Sequence, residues 1–495
     1  MFKRVLVANR GEIACRVIRG CREMGCETVA VYSEPDVHAL HVKLADYAVQ
    51  LGSAAPAESY LNQQRIIAAA IEKKADAVHP GYGFLAENAG FAEAIASAGL
   101  AWIGPPPKAI KSMGLKIEAR ETAKQAGAPI IPGYEATDES DHAFADAAKQ
   151  IGYPVMVKAS AGGGGKGMRI VSQPDKLAAA LAAARRESKG AFGDATVYLE
   201  KYLEKPRHIE IQILGDQHGQ MVHLGERECS VQRRHQKVIE ETPSTAVSAK
   251  TRAAMGESAV AIAKQVGYVG AGTVEFMMDQ EGYYYFLEMN TRLQVEHPVT
   301  ELVYGIDLVH WQLRIAAGEK LTLKQSRIKP RGHSIECRIC AEDPAAGFLP
   351  QVGTVEVHSP PSSPGVRLDT MLYPGWEVGA DYDPLLGKLV VWAENRKAAV
   401  KRMAHALEDY RILGLTTNLP FLLDVITHPA FGAGQTHTGF ITEHMPAWSM
   451  PQAELPAKLA GALTINQRVP VAITTSGSTA VQSTPWQTLG SWSNS

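Results

Sequence analysis

The chain has 495 residues, enough for about three domains of roughly 150 residues each, which excludes a single small binding module. Its 45% hydrophobic and 21% charged content, with 44 Gly and 28 Pro, suits a folded α/β protein and excludes global disorder and coiled coil. Lys and Arg number 50 against 52 Asp and Glu; the formal charge of -2 gives no long-range field for capturing polyanions, so any basic patch is local.

The opening Met1-Phe2-Lys3-Arg4-Val5-Leu6-Val7-Ala8 has four consecutive apolar residues, too few for a signal peptide, and no stretch approaches the ~18 of a membrane span. Six cysteines at 15, 21, 26, 229, 337 and 340 form no disulfide framework, and the first three fall in one predicted helix. A soluble protein of a reducing cytoplasm is expected, with no membrane partner.

Val5-Leu6-Val7, a helix from Ile13 to Met24 and a strand from Thr28 to Tyr32 set a βαβ rhythm that predicts a parallel sheet. It continues through a helix at Gln63 to Lys73 and strands at Ala75 to Val78 and Ala101 to Ile103, until Gly104-Pro105-Pro106-Pro107 breaks the chain. Tyr153 to Val171 reads as strand, glycine loop, strand, with an Ala-rich helix from Asp175 to about Lys189 laid on it. Residues 196–224 and 269–290 read as antiparallel strands, so the middle is α+β. A third unit, 331–446, carries strands at Gly353 to His358 and Lys388 to Trp392 and a helix that Asn395 can cap. Residues 447–495 lose periodicity and read as a flexible or partner-docking tail.

In Lys158-Ala159-Ser160-Ala161-Gly162-Gly163-Gly164-Gly165-Lys166-Gly167, four glycines remove every Cβ that would keep backbone N–H groups from a phosphate, and two lysines supply matching charge. The alternative is a solvent loop. Gly162, Gly164 and Gly167 match GxGxxG, but a strand follows where a dinucleotide fold needs a helix, and no GxxxxGK[ST] is present. A glycine-rich hairpin over nucleotide phosphates remains.

Two apolar strands from Thr273 to Asn290 flank a turn at Gly282. A hairpin symmetric about the 281/282 peptide sets Glu275 opposite Glu288, with Cβ atoms about 5 Å apart and a repulsion of about 3 kcal/mol that a cation would reverse. Strand alternation adds Asn290, giving a donor set suited to Mg²⁺ or Mn²⁺; the alternative is a solvated edge hairpin. If the strand persists, Arg292, Gln294 and Glu296 share a face, where Arg292 can fork onto an oxyanion and Glu296 accept a proton. A carboxylate of ordinary pKa is a poor base, so cations such as Lys237 and Arg338 must stabilise the product; structural ion pairs are the alternative.

Gln232-Arg233-Arg234-His235-Gln236-Lys237 is the densest basic run, but it is short and lacks interleaved aromatics, so no nucleic acid is expected. His208, Glu210 and Gln212 share a strand face, His208 being a structural histidine or a ligand contact. Cys337-x-x-Cys340 has no second CxxC and reads as two strand cysteines rather than zinc ligands. His79-Pro80-Gly81-Tyr82-Gly83 is a turn near a strand end, where α/β sheets build crevices.

Ala8-Asn9-Arg10-Gly11-Glu12-Ile13-Ala14, His79 to Asn88, Glu226-Arg227-Glu228-Cys229-Ser230-Val231-Gln232 and Glu288-Met289-Asn290-Thr291-Arg292-Leu293-Gln294-Val295-Glu296-His297-Pro298 together resemble a biotin carboxylase of the ATP-grasp superfamily, from the start to about residue 446. The resemblance implies a multidomain α/β and α+β fold: a Rossmann-like pre-ATP-grasp domain at 1–112, an ATP-grasp domain at 113–330 with a mobile lid at about 131–203, and a C-terminal biotin carboxylase domain at 331–446. It implies ATP-dependent carboxylation of biotin through carboxyphosphate made from bicarbonate. Lys116, Lys158 and Gly162, Gly163, Gly164 and Gly165 would bind ATP phosphates, with His208, Gln232 and His235 near the nucleotide. Glu200, Lys201 and Leu203 would form the adenine hinge. Glu275, Glu288 and Asn290 would hold Mg²⁺ or Mn²⁺. Lys237, Arg292, Gln294 and Val295 would cradle bicarbonate, Glu296 would deprotonate it, and Arg338 would stabilise the biotin enolate. Leu115, Ala161 and Cys340 depart from the usual Asp, Gly and Asn. No Met-Lys-Met attachment motif occurs, so a biotin carboxyl carrier protein and a carboxyltransferase subunit are the expected partners of an expected homodimer. Another ATP-grasp ligase and an RNA-binding scaffold are the competing readings.

Overall fold

The computed structural model describes residues 1–135, 140–159, 168–192 and 195–451. The run Gly162, Gly163, Gly164, Gly165 and the side chain of Lys116 lie outside the described residues, as does the expected tail from 452 on.

The first hundred residues form a parallel sheet of order β3-β2-β1-β4-β5, from β1 (Arg4–Val7), β2 (Glu27–Ser33), β3 (Tyr47–Gly52), β4 (Ala77–His79) and β5 (Ala101–Trp102). Val5, Leu6 and Val7 are buried on both faces by crossover helices, as parallel strands require. Asn62 and Asn88 begin two of these helices by accepting from the N–H groups of Arg65 and Phe91. The first helix, Gly11–Glu23, ends before Cys26, because Gly25 turns left-handed at φ +74°. The expectation that one helix holds all three N-terminal cysteines is therefore corrected. Strand β3 lies at the sheet edge with mixed exposure, so its apolar signal was too weak to predict it.

A second sheet of order β6-β9-β7-β8 joins β6 (Gly133–Glu135), β7 (Val155–Ala159), β8 (Arg169–Val171) and β9 (Val197–Lys201). Strands β7 and β8 are antiparallel, and the helix Leu177–Phe192 packs Leu177 and Leu181 against Val155, Val157 and Val171, as the periodicity predicts.

The third sheet is antiparallel, in the order β14-β13-β10-β11-β12-β15-β17-β16. Its strands are β10 (Arg207–Gly215), β11 (Met221–Arg233), β12 (Gln236–Thr242), β13 (Gly270–Met278), β14 (Tyr284–Asn290), β15 (His333–Cys340), β16 (Val366–Thr370) and β17 (Leu385–Ala393). It runs without interruption past the boundary expected near residue 330, because β15 pairs with β12 from Ile239↔Cys337 to Thr242↔Ser334. One face is apolar. Ile209, Ile211, Val274 and Phe276 pack on Ile262 and Ala263 of the helix Ala249–Gln265. Farther along, Ile239, Cys337 and Leu389 pack with Met403 and Leu422.

The opposite face carries Glu210, Arg227, Glu275, Glu240, Glu336, Arg338 and Lys388. It is not solvated: the helices His297–Tyr304 and Gly11–Glu23 lie against its C-terminal strands. Asn395 caps the helix Arg396–Asp409 through the N–H of Ala398, as expected. The compact unit extends through Ser449, and Trp448 donates to Asp424 Oδ2 at 2.6 Å, so packing continues past the expected limit of 446. No helix among the described residues is long and apolar enough to cross a membrane.

Candidate active site

Glu275 and Glu288 are direct cross-strand partners, as the hairpin arithmetic predicts. The pairing arises differently, however. Met278↔Tyr284 to Phe276↔Phe286 turn about residue 281, and a register shift between Glu275 and Phe276 leaves Leu287 unpaired and restores Glu288 to a position opposite Glu275. Glu275 is buried, whereas Glu288 beside it is exposed.

The strand does not persist to Glu296. Strand β14 ends at Asn290, and Glu296 is the N-cap of the helix His297–Tyr304, so the shared strand face expected for Arg292, Gln294 and Glu296 is corrected. Helix-breaking Pro298 is tolerated in the first turn, where its missing N–H costs nothing. The side chains converge all the same. Arg292 Nη1 donates to Gln294 Oε1 at 3.0 Å and Nη2 to Asn290 Oδ1 at 3.0 Å, while its Nε is held by Glu87 at 2.9 Å.

Lys237 is the centre of the network. Its Nζ donates to Glu210 Oε2 at 2.5 Å, Glu275 Oε1 at 2.8 Å and Glu296 Oε1 at 2.7 Å. Burial alone would lower its pKa; the three carboxylates overcome this and raise it well above the usual value. Glu296 is 0% exposed, and Arg338 Nη2 reaches its second oxygen at 2.9 Å. Burial would raise the Glu296 carboxyl, but Lys237, Arg338 and Arg227 outweigh it and hold it well below the ordinary range. Glu275 is likewise lowered against its burial, by Lys237 and His208. Glu210 is raised by burial, which its bond to Arg227 and the Lys237 charge do not fully offset.

Glu275 has four donors: His208 Nε2 at 2.7 Å, Lys237, Asn290 Nδ2 at 2.9 Å and Gln294 Nε2 at 3.0 Å. Donor atoms of His208, Glu210 and Glu275 lie within 4.8 Å of one another. Hard oxygen ligands at Glu275, at Glu288 across the strand and at Asn290, once its amide is reversed to offer oxygen, fit Mg²⁺ or Mn²⁺. In the second sheet, Lys158 and Arg120 both grip Glu200, Arg120 at 3.0 Å. Lys201 Nζ donates to Gly152 O at 2.8 Å, and its N–H to Pro132 O, so its side chain is a structural tie. Leu203 follows β9 and is partly buried.

Val295 offers its carbonyl to Lys388 Nζ at 2.9 Å. Gln232 is buried and donates to Cys229 O at 3.3 Å. His235 is exposed at the tip of the two-residue turn between β11 and β12, with φ +66° after +48° at Arg234, and does not line the cavity below. Cys337 enters the apolar core while Cys340 lines the cavity, so the pair cannot share a zinc ion.

A cavity of ≈ 650 Å³ lies beside this network, lined by Lys237, Arg292, Arg338, Val295, Tyr82 and Arg233 among others. Tyr82 is presented by the turn after β4. There Asn9 Nδ2 clamps the carbonyls of Pro80 and Tyr82 at 2.7 Å each, and Gly81, at φ +65°, leaves room that a Cβ would lose to Asn9 at 3.0 Å. Three cations around one depressed carboxylate give the cavity a positive lining that could hold an anion. Sequence reasoning gave no role to Arg120, Glu87, Lys388, Glu240 or Glu336; Glu87 lies within a quoted motif, but its partner Arg292 is 205 residues away.

Comparisons agree with the geometry. Residues 1–110 match the family model "Biotin carboxylase, N-terminal domain", 116–324 "Carbamoyl-phosphate synthase L chain, ATP binding domain" and 336–443 "Biotin carboxylase C-terminal domain". The chain is 52% identical over 442 residues to the biotin carboxylase of Nostoc sp., covering 89% of this chain and 99% of that one. It is 51% identical to the methylcrotonoyl-CoA carboxylase subunit alpha of Rattus norvegicus over 89% of this chain and 62% of that one. Among solved structures, the biotin carboxylase domain dimer of the Hydrogenobacter thermophilus 2-oxoglutarate carboxylase, in complex with MgADP, ADP and bicarbonate, is 48% identical with a TM-score of 0.84, covering 91% of this chain and all of that one.

Proposed function

The chain belongs to the biotin carboxylase family, and from that premise we propose that Glu296 is the base that deprotonates bicarbonate, between Lys237 and Arg338. The family reaction is the ATP- and bicarbonate-dependent carboxylation of biotin carried on a separate protein, through carboxyphosphate. The observation that carries the residue assignment is the convergence of Lys237, Arg292 and Arg338 on one cavity beside a wholly buried carboxylate.

With its partners bound, Glu296 is too weak a base. A substrate anion competes for the same cations, and as Lys237 and Arg338 turn to it the Glu296 carboxyl rises toward its ordinary range and can take a proton. Arg292, oriented by Glu87, Asn290 and Gln294, presents its guanidinium to the anion. Arg338 then stabilises the enolate of biotin. Lys158, Glu200, Lys201, Leu203 and Gln232 would hold the nucleotide with Lys116 and the glycine run. Glu275, Glu288 and Asn290 would hold a divalent ion, whose charge would offset that of the nucleotide phosphates.

The partners would be a biotin carboxyl carrier protein and a carboxyltransferase acting on an acetyl-CoA, propionyl-CoA, pyruvate or related acceptor, with this chain as a homodimer. Six free cysteines suit the cytoplasm. Purified protein should hydrolyse ATP only with bicarbonate and faster with free biotin. Glu296→Ala should lower the rate by about 10²-fold or more; undiminished biotin carboxylation in that variant would refute the base.

A further inference from the structure

Among the described residues, three carboxylate oxygens on the buried polar face have no hydrogen-bond partner. Glu240 on β12 and Glu336 on β15 are directly opposed residues, both 0% exposed. Glu240 Oε2 and both Glu336 oxygens accept no hydrogen bond. Opposed residues have Cβ atoms about 5 Å apart, and two ionised carboxylates there would repel each other without water to screen them.

The groups around the pair do not neutralise two charges. Arg338 on β15 donates Nε to Glu240 Oε1 at 2.6 Å but is shared with Glu296, at the start of the helix His297–Tyr304. Lys237 on β12 is committed to Glu210, Glu275 and Glu296. Lys388 on β17 binds Val295 O and faces Glu12 of the first helix at 3.2 Å and Asp369 of β16 at 3.9 Å. His297 is buried, its Nε2 accepting or donating no hydrogen bond among the described residues and lying 3.9 Å from Glu301 Oε2.

We propose that Glu240 and Glu336 carry one proton between them at neutral pH, and that this acid pair positions Arg338 by keeping a single negative charge beneath the site that receives the substrate anion. The proposal deepens the biotin carboxylase reading and rests on it for its kinetic consequence. Burial raises both carboxyls, Glu336 well above the usual value and Glu240 to about 7. With the proton in place, Arg338 is divided between Glu240 and Glu296 and can leave either for a substrate. When the proton passes to solvent at alkaline pH, two charges hold Arg338 on Glu240 and repel bicarbonate, so KM for bicarbonate rises before kcat falls.

Glu336→Gln retains a hydrogen-bond donor of the same shape but cannot ionise. Infrared difference spectra of the full-length protein should show the C=O band of a protonated buried carboxyl, which titrates away at alkaline pH and is lost in Glu336→Gln. The alkaline limb of kcat/KM for bicarbonate should move up by about one pH unit or more in the variant. A band of unchanged intensity in Glu336→Gln, or a limb at the same pH in both proteins, overturns the proposal. Glu240→Gln is the second variant: it removes the partner charge and should likewise move the limb up, and a limb that persists unmoved counts against the pair. The infrared band needs no turnover, so wild type lacking biotin-dependent activity would defeat the functional reading alone, and the spectrum would still decide the proton.

Discussion

Lys237 shows how one side chain can set the chemistry of its neighbours. Its ammonium is bonded to three buried carboxylates at 2.5 to 2.8 Å, so it lowers the Glu275 and Glu296 carboxyls and is itself kept charged. Removing one partner of a buried ion cluster leaves its charges uncompensated, typically at a cost of about 3–5 kcal/mol. Lys237→Met is expected to lower stability by about that amount, read by denaturant titration, and to abolish bicarbonate-dependent ATP hydrolysis. An unchanged midpoint would mean that the three acids are protonated without it. Lys237, Arg292 and Glu296 were legible because they stand in dense polar motifs, and Glu210 because it shares a strand face with His208. Glu87 was not, because it meets Arg292 from 205 residues away.

Elements refine what residues permit. The unpaired Leu287 keeps Glu288 opposite Glu275, since a one-residue slip would turn Glu288 to the other face. Glu288→Gln should therefore weaken Mg²⁺-dependent nucleotide binding, measured by calorimetry, while the fold persists by circular dichroism; unaltered binding would remove Glu288 from the ion site. The turn between β11 and β12 places Arg234 and His235, both with Cβ, in left-handed conformations. Two-residue hairpins of this kind favour Asn-Gly, so the double change Arg234→Asn and His235→Gly should stabilise the protein by about 0.5–1 kcal/mol, seen as a higher Tm. Hairpin and pairing were readable from alternation and a central glycine. The bulge, and the switch from strand to helix at Glu296, were not, because both depend on what packs over the hairpin's end.

Across the whole molecule, the polar face of the long sheet is a buried charged layer between domains. Lys388 on β17 joins Val295, Glu12 and Asp369, tying the first helix, the site and the C-terminal strands together. Lys388→Met should cost about 3–5 kcal/mol and slow catalysis through the Val295 carbonyl; a variant as stable as wild type would show that the clamp is dispensable. The layer also sets the pH dependence. Glu275, Glu296 and Asp369 lie below the ordinary carboxylate value of 4.5 or 3.8, so the stability they contribute is present above it and lost as pH falls toward their folded values. Glu240, raised by burial to about 7, acts oppositely: its contribution is complete below 4.5 and lost as pH rises through about 7. Tm should therefore be highest in the mildly acidic range and fall on both sides, and a monotonic profile would contradict these assignments.

Sequence by itself determined the alternation of parallel and antiparallel segments, the family and most of the charged side chains that converge on the cavity, because periodicity and consecutive polar motifs are local properties of the chain. Tertiary structure alone decided that the sheet continues through residue 330, that its charged face is closed off from water, and which distant acids meet the site's cations. Burial and long-range pairing are set by what packs against a segment, and electrostatic strength follows burial, so neither is written in the spacing of neighbouring residues.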